Sequence, residues 1–230
     1  MLDRHNVNAT FFVLGWVAER VPELIREIED RGHEIASHGY GHHLLTHLTP
    51  EEFEVDLRRS IKVLKDIGVN YQPIGFRAPS FTVVEKTMWA LSILSKHGIL
   101  YDSSVFPIGF HPDYGVPSSP LAPYQISREL TEFPLSCAEY MGKRIPCSGG
   151  GYFRLLPYTL TRLLIRKVNS DGRPAVFYLH PWELDPGQPR IPLPFTKRLR
   201  HYNGLQKTEE KLERLLNDFQ FTTIREVLGV

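Results

Sequence analysis

What this 230-residue chain lacks narrows it first. It has two cysteines, Cys137 and Cys147, too few for a disulfide framework and without the CxxC spacing of a metal knuckle. They read as ordinary thiols of a reducing compartment, with at most one optional bridge, and a cytoplasmic chain is the expectation. No apolar run approaches the eighteen or so residues that a membrane span needs, so no span is expected. The opening Met-Leu-Asp-Arg-His-Asn holds no signal-peptide core. There is no charge excess either, since 27 Lys and Arg face 26 Asp and Glu. That balance gives no electrostatic footprint for nucleic acid, and the short run Lys197-Arg-Leu-Arg-His201 reads as a solvated face. At 42% hydrophobic and 23% charged, the composition is globular and excludes disorder.

What is present is a rhythm of helices closed by glycine and followed by short apolar strands. Ala9-Thr-Phe-Phe-Val-Leu14 reads as a buried strand. Val17, Val21, Leu24, Ile25 and Ile28 recur at helical spacing, predicting one helix that Gly32 stops. Glu34–Ser37 is the next strand. Thr49-Pro-Glu-Glu52 is a capping box, and behind it Phe53, Leu57, Ile61 and Leu64 form an apolar stripe. Residues 73–81 read as extended, and a helix is expected from about Glu85 to Gly98. A strand end follows at Ile99–Ser104, and residues 106–124 make a long loop. Residues 131–147 look like one or two strands, and Gly149-Gly-Gly151 like a turn leading into a helix. Pro174–His180 reads as the last core strand, and Thr208–Phe219 as a final amphipathic helix. Such alternation implies βαβ units and a mostly parallel sheet, closed or open.

Polar residues gather at the carboxyl ends of these strands, where α/β barrels build their sites. In Ser37-His-Gly-Tyr-Gly-His42 two imidazoles lie four apart with glycines between them. Glycine disfavours a helix there, and a tight turn lets His38 and His42 converge, as ligands of a zinc-like ion would. Arg77, Asp102 and His180 stand at further strand ends.

This set resembles the polysaccharide deacetylase family (nodulation-type NodB homology, carbohydrate esterase family 4). The resemblance rests on Ala9–Gly15, Gly32–His42, Arg77-Ala-Pro79, Asp102-Ser-Ser104 and Leu179-His180. Gly39 stands where many members carry Ser or Thr. The tail, with Gly-Gly-Gly-Tyr-Phe-Arg154, His-Pro-Trp-Glu183 and Arg-His-Tyr202, is similar to a subgroup found with exopolysaccharide and exosortase loci. The resemblance implies a distorted parallel (β/α) barrel in residues 1–183 and an irregular extension, residues 184–230, packed on it. It implies a divalent metal, zinc by preference, held by His38 and His42. Arg77 would orient a base carboxylate, His180 would be the general acid and Asp102 would tune its protonation. Leu179 would line the acetyl pocket, and Tyr40 and Trp182 would contact sugar. The implied reaction removes N-acetyl groups from an amino-sugar polysaccharide or oligosaccharide. The family's first motif, which brings an acid pair, would lie one strand and one helix before Ala9, so the barrel's first strand is expected to be missing. Two other readings follow: a ureide or cyclic-imide amidohydrolase of the same fold, and a non-catalytic carbohydrate-binding remnant.

Overall fold

A computed structural model describes residues 1–69, 74–109, 111, 114–194, 198 and 201–230. Most of the basic run, and Pro73 of the extended stretch, lie outside the described residues. The chain divides into two compact units. One, the sheet unit, holds Leu2–Pro134 together with Phe221–Val230; the other, the hairpin unit, holds Leu135–Gln220. The boundary expected at residue 183 is therefore not where the chain divides. The stretch after Pro134 pairs with itself, and the last ten residues return to the first strand.

The sheet unit carries β1 (Thr10–Val13), α1 (Gly15–Arg20), α2 (Pro22–Asp30), β2 (Glu34–Ser37), α3 (Pro50–Asp66), β3 (Gly75–Phe76), α4 (Trp89–Lys96), β4 (Tyr101–Asp102), β5 (Tyr124–Gln125) and β6 (Thr131–Glu132). The strands form one sheet in the order β1-β2-β3-β4-β6-β5, parallel except for β5. The expected parallel β/α architecture is present, but the sheet is open among the described residues and not closed into a barrel.

The helix expected across Val17–Ile28 is two helices. Pro22 bars the helical region to the residue before it, and Val21 sits at φ −136°, ψ 58°. Of the predicted stripe only Ile25 is fully buried, and Leu24 is left exposed. The α3 stripe forms as its spacing predicts. Thr49 accepts from Glu52 N, Glu52 returns the bond, and Phe53, Leu57, Ile61 and Leu64 are all buried. Such a cap stabilises a helix by about 1 kcal/mol. On the helix-covered face, Phe53, Leu57, Ile61, Phe76, Leu91 and Leu94 share one core cluster, and Val13, Ala18, Ile25, Ile35 and Leu64 share another.

The opposite face of the sheet is polar. Strand alternation and register place Thr10, Phe12, Glu34, Gly75 and Tyr101 there. Tyr101 donates its hydroxyl to Glu34 Oε1 at 2.8 Å, passing directly over Gly75. A Cβ on Gly75 would fall 2.1 Å from the Tyr101 ring, so β3 needs glycine for β4 to reach β2. Thr10 Oγ1 donates to Glu34 Oε2 at 2.6 Å and accepts from Ile224 N at 2.9 Å. Arg225 N also donates to Glu34 Oε2 (3.1 Å), which ties α8 (Ile224–Leu228) to the first two strands.

In the hairpin unit, β7 (Cys137–Tyr140) and β8 (Lys143–Pro146) form an antiparallel pair. With β6 that makes three strands in a stretch expected to hold one or two. Gly150 and Gly151 belong to a short helix, α5 (Gly150–Leu155), which stops before Pro157; α6 (Tyr158–Ser170) and α7 (Thr208–Asp218) follow. The strand expected at Pro174–His180 is a single bridge between Gly149 and Tyr178. Side-chain bonding displaces the ladder here: Val176 N donates to Ser136 Oγ at 2.7 Å. Cys137 and Cys147 are free and buried, and burial pushes each thiol up to about 12. No helix among the described residues is long and apolar enough to cross a membrane.

Candidate metal and catalytic site

The turn after β2 is suspended between two helices. Gly15 N and Trp16 N, opening α1, donate to Gly39 O (2.9 Å) and Tyr40 O (3.1 Å). From α3, Asp56 accepts Tyr40 N at 2.7 Å and Gly41 N at 3.0 Å, one on each carboxylate oxygen. Gly39 has φ +75°, and a Cβ there would lie 2.7 Å from Asp56 Oδ2. Glycine at 39 is thus fixed by its own backbone and by Asp56. Asp56 was not singled out in the sequence; its signal was an acid between the buried Phe53 and Leu57, one turn before the buried Ser60.

That suspended turn brings the two predicted imidazoles together, ring centroids 5.3 Å apart at 72°. His38 is half-buried and His42 exposed, and His42 itself takes φ 58°. His38 Nδ1 stands 2.6 Å from Arg77 O. A carbonyl can only accept, so Nδ1 carries the proton and Nε2 keeps the lone pair. A backbone carbonyl behind one ring nitrogen is how a metal-binding histidine is usually oriented. The pair fits two ligands of a zinc-like ion. Among the described residues no set of three His, Cys, Asp or Glu side chains is gathered around one point.

Arg77 joins this end of the sheet. It is buried, donating Nε to Ser103 O (2.8 Å) and a terminal nitrogen to Ser103 Oγ (2.6 Å). Its guanidinium lies 4.1 Å from the Phe12 ring centroid. Just beyond Pro79, Ser80 and Phe81 both have positive φ, 53° and 57°. Backbone strain at non-glycine residues gathers at functional sites. Tyr40 is held by α1 and α3: its hydroxyl donates to Glu19 at 2.6 Å, and Arg59 lies 3.6 Å over its ring.

Asp102 is committed inside the sheet unit. Its neighbours Tyr101 and Ser103 face Phe12 and Arg77, so alternation turns Asp102 to the other face of the sheet, fully buried. There it lies in register with Glu132 on β6. Asp102 Oδ1 accepts from Ser104 Oγ, and Glu132 Oε1 accepts from Ser104 N and Val105 N. Asp102 Oδ2 and Glu132 Oε2 are buried with no donor. One proton between the carboxyls satisfies both. Burial raises Asp102 to about 6, and burial followed by the charge of Asp102 raises Glu132 well above the usual range.

His180 and Leu179 belong to the hairpin unit, as does Trp182. His180 is exposed and Leu179 half-buried. His180 Nδ1 lies 3.1 Å from Glu183 Oε2, and His180 N donates to the same oxygen at 2.9 Å. Glu183 is buried and takes Arg154 Nε on its other oxygen at 2.7 Å. Burial alone would raise the Glu183 carboxyl; the bonds from His180 and Arg154 outweigh it and hold it below its usual value. So the acid that orients His180 is Glu183. The sequence signal was there in His-Pro-Trp-Glu183, a cap with proline at its first position. Trp182 stacks between His180 (5.7 Å, 22°) and His201 (4.3 Å, 15°).

Comparison with known proteins places this geometry. Residues 103–229 match the model of a domain of unknown function, DUF3473, and residues 1–101 match polysaccharide deacetylase. A peptidoglycan-N-acetylglucosamine deacetylase of Bacillus cereus is 33% identical over 90 residues, 39% of this chain and 32% of that protein. The chain spans between 30% and 38% of the length of the first three curated relatives. The structure of a candidate polysaccharide deacetylase from Mycobacterium smegmatis superposes with TM-score 0.63 at 24% identity, covering 98% of this chain and 72% of the other. Puue allantoinase gives 0.61 at 16% identity, covering 98% and 68%. At such identities these two establish a shared α/β fold. Residues 1–101 match the polysaccharide deacetylase model, and by the match over more than half of its length the chain belongs to the DUF3473 family.

Proposed function

We propose that this chain serves a metal-dependent hydrolase that removes N-acetyl groups from amino-sugar polysaccharide, in the assembly of an exopolysaccharide. The observation that carries the reading is His38, locked through Nδ1 to the Arg77 carbonyl so that its lone pair is presented beside His42. The deacetylase names of the curated relatives supply the reaction class. His38 and His42 would hold a divalent ion, zinc by preference, and the ion would polarise an acetamide carbonyl and acidify bound water. Arg77, fixed to Ser103, keeps the carbonyl behind His38 in place. Glu183 accepts from His180 Nδ1 and would favour the imidazolium, whose Nε2 proton would pass to a departing amine, the task of a general acid. Leu179, Tyr40 and Trp182 would contact the sugar.

The test is acetate release from N-acetylglucosamine oligomers, with zinc titrated by calorimetry. His38→Ala and His42→Ala should abolish zinc binding. In a version of the protein that carries the acid pair of the family's first motif, His180→Ala should cut kcat by about 10²-fold or more with zinc binding unchanged. Turnover that survives loss of both histidines would refute the reading, and hydrolysis of a ureide with no acetate release from the oligomers would transfer it to the other substrate class.

A further inference from the structure

In the hairpin unit, a cavity of about 530 Å³ opens between the end of α5 and the start of α7. Its wall includes Arg154, Arg190, Lys207 and Lys211 and, among the described residues, not one carboxylate. Arg154 is committed to Glu183 and to the carbonyls of His201 and Asn203. The other three cations have no carboxylate within ion-pair reach among the described residues. By contrast, Arg31, Lys62, Lys96, Arg162, Lys167 and Arg173 each meet an acid. Lys211 is held in place by the carbonyls of Phe153, Arg154 and Leu156 at 2.8–3.0 Å. Burial and then the charge of Lys207 depress its pKa. In a chain of net charge +1, such a hollow is built for an anion.

The approach to the hollow is aromatic. Trp182 and His201 stack, and His201 meets Tyr202 edge-on at 4.6 Å. Tyr202 lines the cavity and carries Arg190 at 4.2 Å from its ring centroid. A row of rings therefore runs from His180 to the cationic wall, within one unit. Flat apolar rings beside amide and cationic groups suit a sugar ring that bears an acid. The exposed amides of Asn203 and Gln206 stand at the same wall.

We propose that this cavity is a subsite for an acidic sugar, a uronate, in the glycan on which the protein acts. The saccharide part rests on the deacetylase reading; the anion part rests on the cavity alone.

Binding is measured by calorimetry at low salt, without metal or turnover, using a galacturonate trimer, inorganic phosphate and chitotriose. The galacturonate trimer should bind, weaken as salt rises, and lose at least about tenfold in affinity in Arg190→Ala/Lys207→Ala, the loss expected when charge-assisted contacts go. Both residues are exposed, so folding should survive; Lys207→Glu is a second variant and should weaken binding in the same direction. No binding of the trimer, or binding equal in wild type and variants, would overturn the anion site. Phosphate binding as tightly as the trimer would overturn the saccharide assignment. A chitotriose isotherm that falls with the trimer in the variants would overturn the selectivity for charge. Failure of the deacetylase reading would show instead in the acetate assay and leave these isotherms as they are.

Discussion

Asp102 shows how one residue's place in a register decides its chemistry. It pairs with Glu132 in a dry layer, with Ser104 on the same face, Arg77 lowering its pKa and Tyr124 in register with Glu132. Its pKa rises on folding, from about 3.8 to about 6. A raised value means that the folded state holds the proton more tightly, so the stabilisation is complete below about 3.8 and is lost as pH climbs through 6. Asp102→Asn supplies a permanent neutral partner whose amide can donate to Glu132. Thermal melts from pH 4 to 8 should show the variant matching wild type at the acid end. At pH 8 it should be more stable by about 1–3 kcal/mol. Parallel curves across that range would dismiss the shared proton.

At the scale of elements, the sheet's polar face depends on one missing side chain. Tyr101 on β4 crosses β3 at Gly75 to bond Glu34 on β2, and any Cβ would meet the ring at 2.1 Å. Gly75→Ala should push Tyr101 aside, break its bond to a buried carboxylate and overpack the strand. A loss of about 1–3 kcal/mol is expected from the overpacking. Urea melts would measure it, and Gly75→Ala combined with Tyr101→Phe, which removes the hydroxyl beside the clash, should recover part of the loss. A Gly75→Ala melt indistinguishable from wild type would mean that the crossing does not constrain β3. The same reasoning explains why only part of this architecture was legible. The α3 stripe and its cap were readable because every determinant is local. The break at Val21–Pro22 was also written locally, but the run of apolar residues masked it. Pro174–His180 has a strand's composition, yet Ser136, far away in sequence, supplies the acceptor that replaces a ladder bond.

For the molecule as a whole, the ends of the chain matter to the sheet unit. Residues 221–230 fold with residues 2–134, and α8 delivers Ile224 N to Thr10 and Arg225 N to Glu34. Removing 221–230 would strip a bond from a buried carboxylate, worth about 1.5–3 kcal/mol. It would also uncover the buried Ile224, worth about 1.5–3 kcal/mol more. A truncation at residue 220 should therefore lower the sheet unit's stability by about 3 kcal/mol or more, read by hydrogen exchange at β1 and β2. Unchanged protection there would show that α8 is dispensable.

The sequence alone determined the α/β class, the turn carrying His38 and His42, and the place of Arg77 at a strand end. Each follows from spacing, glycine content and helix caps within a few residues. The tertiary structure alone decided that Asp56 fixes that turn, that Asp102 faces Glu132, and that Glu183 holds His180 beside Arg154. Asp56 and the Asp102 pairing depend on which elements meet and in what register. A one-residue change of parity sends a strand's side chain to the other face. Arg154 lies 29 residues from its partner, and the cations around the cavity converge from α5, α7 and the segment between them. Their charges cancel in the sequence total, and it is folding that gathers them in one place.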